Sequence, residues 1–149
     1  MELTPAPTIR AMTPADLCAA IDLWTVTDGV GLAEGDDLPG LTRYLKRNPR
    51  CSAVAETEEG VIIGAVMSGH DGRRGWLYHL AVASAFRGRG IGRQMVEYSV
   101  AALRREGIQR CSLFVFHWCE SARDFWQHLG FELRDNLQLM QSHVACSEG

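Results

Sequence analysis

The residues best suited to chemistry form a short run, Arg87-Gly88-Arg89-Gly90-Ile91-Gly92, with Arg93 next in line. An apolar β-type run precedes it and a 3.6-residue apolar pattern follows, so the run is a strand-to-helix turn. Glycines let a backbone turn tightly and approach a ligand with no Cβ in the way. The free amides at the start of the helix, together with its dipole, favour an anion, and three arginines add formal charge. A phosphate or pyrophosphate is the natural guest. Neither a Gly-Lys-Ser/Thr sequence nor a complete GxGxxG occurs, so the standard nucleotide loops do not fit. The competing reading is a solvated basic turn whose glycines only end a strand.

Four further groups could take part. His79, on the strand that enters the glycine run, is either a general base or a strand histidine packed under a helix. Its neighbour Tyr78 is a packing residue with a secondary candidacy for catalysis. Cys119 has His117 two residues away, the pairing of a nucleophile with a base, but no cationic orienter is evident and a plain semi-exposed thiol is favoured. The segment Asp28–Asp37 carries Asp28, Glu34, Asp36 and Asp37 and no basic residue. It is either an attractor for a cation or a solvated loop with helix-capping acids, Asp37 above all.

The elements that must position these groups are readable from period and punctuation. Thr8–Met12 is a first strand, and Thr13-Pro14-Ala15-Asp16 starts a helix running to about Val26. A second helix with Leu38, Leu41 and Leu45 stops before Pro49. Strands over 52–56, 61–68 and 76–82 follow, the last two joined by an Asp71-Gly72 turn. A long helix from Ile91 ends at Gly107, and Cys111–Phe116 is a nearly unbroken apolar strand of the kind buried on both faces. Ser121–Leu129 is a short helix, Phe131–Arg134 and Leu137–Met140 a final hairpin, and 142–149 a frayed tail. The order is βααβββαβαβ(β). It implies one mixed α/β (α+β) domain over 1–149, core about 8–141, with a sheet of six or seven strands and helices on both faces.

Composition narrows the class. The chain has 149 residues, 46% of them apolar and 22% charged, with a net charge of −3. That suits one globular domain and argues against a dedicated nucleic-acid binder. There is no bilayer-length apolar run and no signal-like N-terminus, so neither a membrane nor an export route is expected. Five cysteines with no CxxC pair give neither a disulfide framework nor a metal site and point to reduced thiols in a cytoplasmic protein.

The spacing Arg87-x-x-Gly90-x-Gly92 resembles the acetyl-CoA pyrophosphate loop of the GNAT superfamily of N-acyltransferases. Leu80-Ala81-Val82 looks like the end of that family's central strand, and Phe125-Trp126-Gln127-His128-Leu129-Gly130-Phe131 is similar to its second signature. The element order agrees from the first strand to Met140. The resemblance implies a mostly antiparallel sheet splayed between strands 4 and 5, and acetyl transfer from acetyl-CoA to an amine with no metal. It places the pyrophosphate on residues 87–93 and the pantetheine arm along Leu80, Ala81 and Val82. The Leu80 amide then serves as oxyanion donor, with Cys119 and Trp126 beside the cofactor arm. Two departures stand out. The family often has Tyr where Trp126 stands and Asn where Cys119 stands, so acid catalysis by a phenol does not carry over. The implied partner is a small-molecule amine or a protein amino group, cationic or polyamine-like if Glu34 and Asp36 line the acceptor entrance. Homodimerisation is left open. The alternative is a non-catalytic acyl-CoA-binding or sensing module of the same fold.

Overall fold

The computed structural model describes residues 5–145. It divides into two compact units, one ending at Phe116 and the other beginning at His117. The first holds strands β1 (Thr8–Ala11), β2 (Ala53–Glu56), β3 (Ile62–His70), β4 (Gly75–Val82) and β5 (Cys111–Ser112), with helices α1 (Leu17–Thr25), α2 (Leu38–Arg47) and α3 (Ile91–Arg105). The strands form a single sheet in the order β1-β2-β3-β4-β5. The first four run antiparallel, and β5 pairs parallel with β4. The second unit holds α4 (Glu120–His128).

Strand alternation sends side chains to two opposite cores. Val54, Ala65, Met67 and Ala81 face α1 and α2 and pack with Leu17, Ala20, Trp24, Leu41 and Leu45. On the other face α3 lies so close that a Cβ at Gly64 would stand 2.8 Å from Met95 Cε. Near the end of α3, Ala102 and Leu103 pack with Cys51 and Ile108. The helices therefore cover both faces of a mostly antiparallel sheet, as expected from the element order.

The start of α1 is tied down by ion pairing. The Asp16 carboxylate accepts from the Thr13 amide at 2.8 Å and from both terminal nitrogens of Arg10, each at 2.8 Å. The Arg10 Nε donates to Glu56 at 2.7 Å, which links β1 to β2. Arg10 holds the Asp16 carboxyl below the usual carboxylate range, against the opposing effect of burial. A lowered folded-state pKa means that this stabilisation is present above the ordinary carboxylate range and is lost as pH falls through the folded value. Asp16→Asn should cost roughly 2 kcal/mol at neutral pH. Urea unfolding at falling pH should bring wild type and variant together; a gap that stays constant into acid would refute this role.

Two expectations are corrected. Five strands form where six or seven were expected: among the described residues no strand occurs over 131–134 or 137–140. The fifth strand covers Cys111–Ser112 and not 111–116, and Phe114 and Phe116 are 57% and 46% exposed. The parallel ladder ends at Trp76↔Ser112, short of an irregularity in the pairing of β4 with β3. A strand persists only where a neighbour takes its backbone bonds, and apolar alternation alone supplies no neighbour. Of the expected tail, 142–145 is irregular and exposed, and the remainder lies outside the described residues.

Candidate active site

The irregularity in β4 is a β-bulge. Ala65 pairs with Ala81 and Met67 with Tyr78, so His79 and Leu80 together face the single residue Val66. His79 absorbs the extra residue with φ +57°, a left-handed conformation that is uncommon outside glycine. Two consequences follow for the site. Leu80, Ala81 and Val82 lie on a stretch of β4 that has no β5 ladder beside it. The His79 side chain is only 12% exposed, its Nε2 3.0 Å from Asp36 Oδ1.

Asp36 is held by its own loop, since its second oxygen accepts from the Ala33 amide at 2.9 Å. The ring of Trp24, fully buried in α1, lies 5.2 Å from the His79 ring. The indole N–H of Trp24 is buried with no hydrogen-bond partner among the described residues. Tyr78 adjoins the same group with its ring 6.1 Å from that of His79. Burial pushes the Tyr78 phenol above its ordinary pKa, and the Asp36 charge adds to this. A phenol so biased stays protonated at neutral pH, which suits packing and hydrogen-bond donation better than proton abstraction.

Along the same face, Trp76 stacks on Tyr78 at 6.2 Å and 16°, and Phe114 stacks on Trp76 at 5.1 Å and 28°. Tyr44 of α2 meets Tyr78 edge-on at 6.2 Å. Phe116 lies over the acidic loop so closely that a Cβ at Gly31 would stand 2.6 Å from its Cζ. The recurrence of aromatics at 76 and 78 and again at 114 and 116 is a period-two signal that could have exposed this row from sequence.

Beyond Val82 a single 3-10 turn, Ser84–Phe86, leads into the glycine run. Gly88 and Gly90 have φ +79° and +78°, and a Cβ at either would meet nothing within 4 Å. Gly90 is the residue before α3, and its carbonyl takes the Gln94 amide at 3.1 Å. The amides of Ile91, Gly92 and Arg93 therefore open the helix toward the same open space. The arginines divide. Arg87 Nε donates to Val82 O at 2.9 Å, bracing the strand end, and Arg89 lies over the Phe86 ring at 5.2 Å. Arg93 pairs with Glu97 at 3.0 Å on the helix surface. The cradle's amides, open glycines and nearby guanidinium groups suit a pyrophosphate.

The structure thus brings His79, Asp36 and Tyr78 together and does not bring Glu34 with them. Glu34 stays exposed in its loop, while Asp37 caps α2 by accepting from the Gly40 amide at 2.8 Å. In the second unit, Cys119 precedes α4 with its Sγ 3.8 Å from Ser121 Oγ. There Trp126 is 9% exposed and meets the rings of Phe125 and Phe131, each at 5.1 Å. At the start of β4, the end away from Val82, Arg73, Arg74, Gln109 and Arg110 line a shallow cleft of about 310 Å³ that contains none of the site residues. Sequence reasoning missed the place of Trp24 in the site, which depends on how α1 packs on the sheet, and the Asp36–His79 contact, which depends on where the loop returns to it.

Residues 20–131 match the model of the acetyltransferase (GNAT) family. The chain belongs to that family and is an acyltransferase. An acetyltransferase of Pectobacterium atrosepticum is 31% identical over 131 residues, spanning 88% of this chain and 92% of its own. The fold is similar to that of Ard1 from Thermoplasma volcanium, with TM-score 0.76, 18% identity and coverage of 87% and 85%. It is also similar to Rv2747 of Mycobacterium tuberculosis, solved in complex with CoA, with TM-score 0.69, 22% identity and coverage of 86% and 74%. No helix among the described residues is long and apolar enough to cross a membrane.

Proposed function

We propose that this protein is an acetyl-CoA-dependent N-acetyltransferase that passes the acetyl group directly to a primary amine, with residues 1–149 acting as one domain. The family match crosses the boundary between the two units, which supports the single-domain reading. The observation that carries the function is the continuity of two open features. The outer edge of β4 beyond Trp76 lacks a ladder, and it leads straight into the glycine cradle at the start of α3. A cofactor with an amide-bearing arm and a pyrophosphate matches that sequence of groups.

In this reading the amides of residues 88–93 hold the pyrophosphate, with Arg89 adding charge and Arg87 holding the strand end in place. Backbone groups of Leu80, Ala81 and Val82 bind the arm as a neighbouring strand would. The Leu80 N–H donates to the thioester oxygen and stabilises the charge that develops there, an effect commonly of about 3 kcal/mol. His79 takes the proton from the incoming ammonium, and the Asp36 carboxylate, 3.0 Å from Nε2, holds the imidazole in place by its charge. The amine nitrogen then bonds to the carbonyl carbon as the carbon–sulfur bond breaks. CoA leaves as a thiolate, which a thiol pKa of about 8.5 makes tolerable without a dedicated acid. The acceptor is a cationic amine, small or protein-borne, in preference to an acidic or neutral compound. The four free cysteines among the described residues support a cytoplasmic setting.

The test is release of free CoA against a panel of amines, with acetyl-CoA binding measured in parallel. Binding without transfer to any amine would make the protein a sensing module. Trp126 packs in this reading and does not protonate the thiolate. Trp126→Phe should therefore keep turnover within a few-fold, whereas loss of a true acid costs about a hundredfold or more. Cys119→Ser should be equally mild. An acetyl group trapped on Cys119 would overturn direct transfer.

A further inference from the structure

We propose, resting on the acceptor reading above, that the amine is carried on a short arm from a flat aromatic ring, which docks on the Phe114–Trp76–Tyr78 row while the ammonium reaches Asp36 and His79. The row is aligned for this. Its three rings lie within 28° and 16° of their neighbours, with centroids 5.1 and 6.2 Å apart. The final ring, Tyr78, has its centroid 6.1 Å from that of His79. Aromatic pairs favour offset or edge-to-face contact over about this range, so a ligand ring can extend the row. A short saturated arm then carries the nitrogen to the histidine.

Burial separates this row from ordinary core. Trp76 is only partly buried and Phe114 is 57% exposed, whereas Trp24 beneath the same site is completely buried. Tyr78 packs against the core at the inner end of the row, while Trp76 and Phe114 keep exposed surface beside the His79–Asp36 pair, which suits a binding wall. The competing acceptor, a flexible polyamine, needs further carboxylates for its remaining charges. Of the loop's four acids, Asp37 is committed to capping α2 and Asp36 to Ala33 and His79, leaving Asp28 and Glu34 exposed to solvent. One ammonium is catered for, and what surrounds it is aromatic.

Three amines separate the possibilities: 2-phenylethylamine and 2-cyclohexylethylamine, which have the same arm, and spermidine. For each, kcat/KM is read from CoA release, and binding to the CoA-saturated protein from calorimetry. The expected result is a preference of roughly tenfold for the phenyl over the cyclohexyl compound. Trp76→Leu and Phe114→Leu, both kept only if thermal unfolding stays cooperative, should each pull that ratio toward one. Equal use of the two ring compounds, a better kcat/KM for spermidine, or a ratio unmoved in both variants overturns the proposal while leaving acetyl transfer to amines intact. Selective binding of 2-phenylethylamine with no transfer to any amine overturns catalysis and leaves the aromatic subsite standing.

Discussion

Gly90→Glu is expected to abolish CoA binding in a protein that still folds. Gly90 has φ +78° and precedes the first residue of α3. Any side chain there carries the left-handed penalty, roughly 1–2 kcal/mol. No atom lies within 4 Å of the added Cβ, so steric conflict inside the protein contributes nothing more. A glutamate, however, projects a negative charge into the space where the amides of 91–93 converge, and it takes up the helix-terminal partial charge itself. Gly90→Ala isolates the backbone term: it shares the strain but brings neither length nor charge. Calorimetry should show weakened CoA binding for alanine and none for glutamate, with similar unfolding temperatures. Wild-type affinity in a folded Gly90→Glu protein would refute the assignment of the cradle.

The second large effect is expected at His79. Asn is the replacement of choice, because it tolerates the left-handed region better than most residues. The local backbone at φ +57° should therefore survive, and the bulge that presents Leu80 with it. Loss of the base should lower kcat by about a hundredfold while acetyl-CoA still binds. A readout that packing alone would not produce is the split between chemistry and binding: kcat should fall in His79→Asn while the affinities for acetyl-CoA and for the amine hold. Near-normal kcat would mean that the histidine only packs against Trp24 and that water carries the proton.

Several parts of the site were legible in the residues themselves. The glycine cradle, the strand before it and the helix after it are local matters. Positive φ at Gly88 and Gly90, the cap at Asp37 and the start of α1 at Thr13–Asp16 depend on neighbours a few positions away. The register that puts Leu80–Val82 at the end of β4 follows from the length of the apolar run and its turn. The family resemblance rested on the glycine cradle, Leu80–Val82, the run Phe125–Phe131 and the element order, and the match over 20–131 agrees with it.

What the tertiary structure alone decided is long-range. Nothing near His79 in the chain announces a bulge, since the extra residue is counted only against Val66 on the neighbouring strand. Asp36 and His79 are far apart in sequence, and their 3.0 Å contact exists because the loop between α1 and α2 folds back over β4. Of the acids in that loop only the cap at Asp37 was legible in sequence; that Asp36 meets His79 while Asp28 and Glu34 stay exposed was not. The apolar run after Cys111 carried every local mark of a strand and pairs for only two residues, Cys111 and Ser112. Local propensity sets what a segment can become; hydrogen-bond partners across the sheet decide where it stops, and the ladder with β4 stops at Ser112.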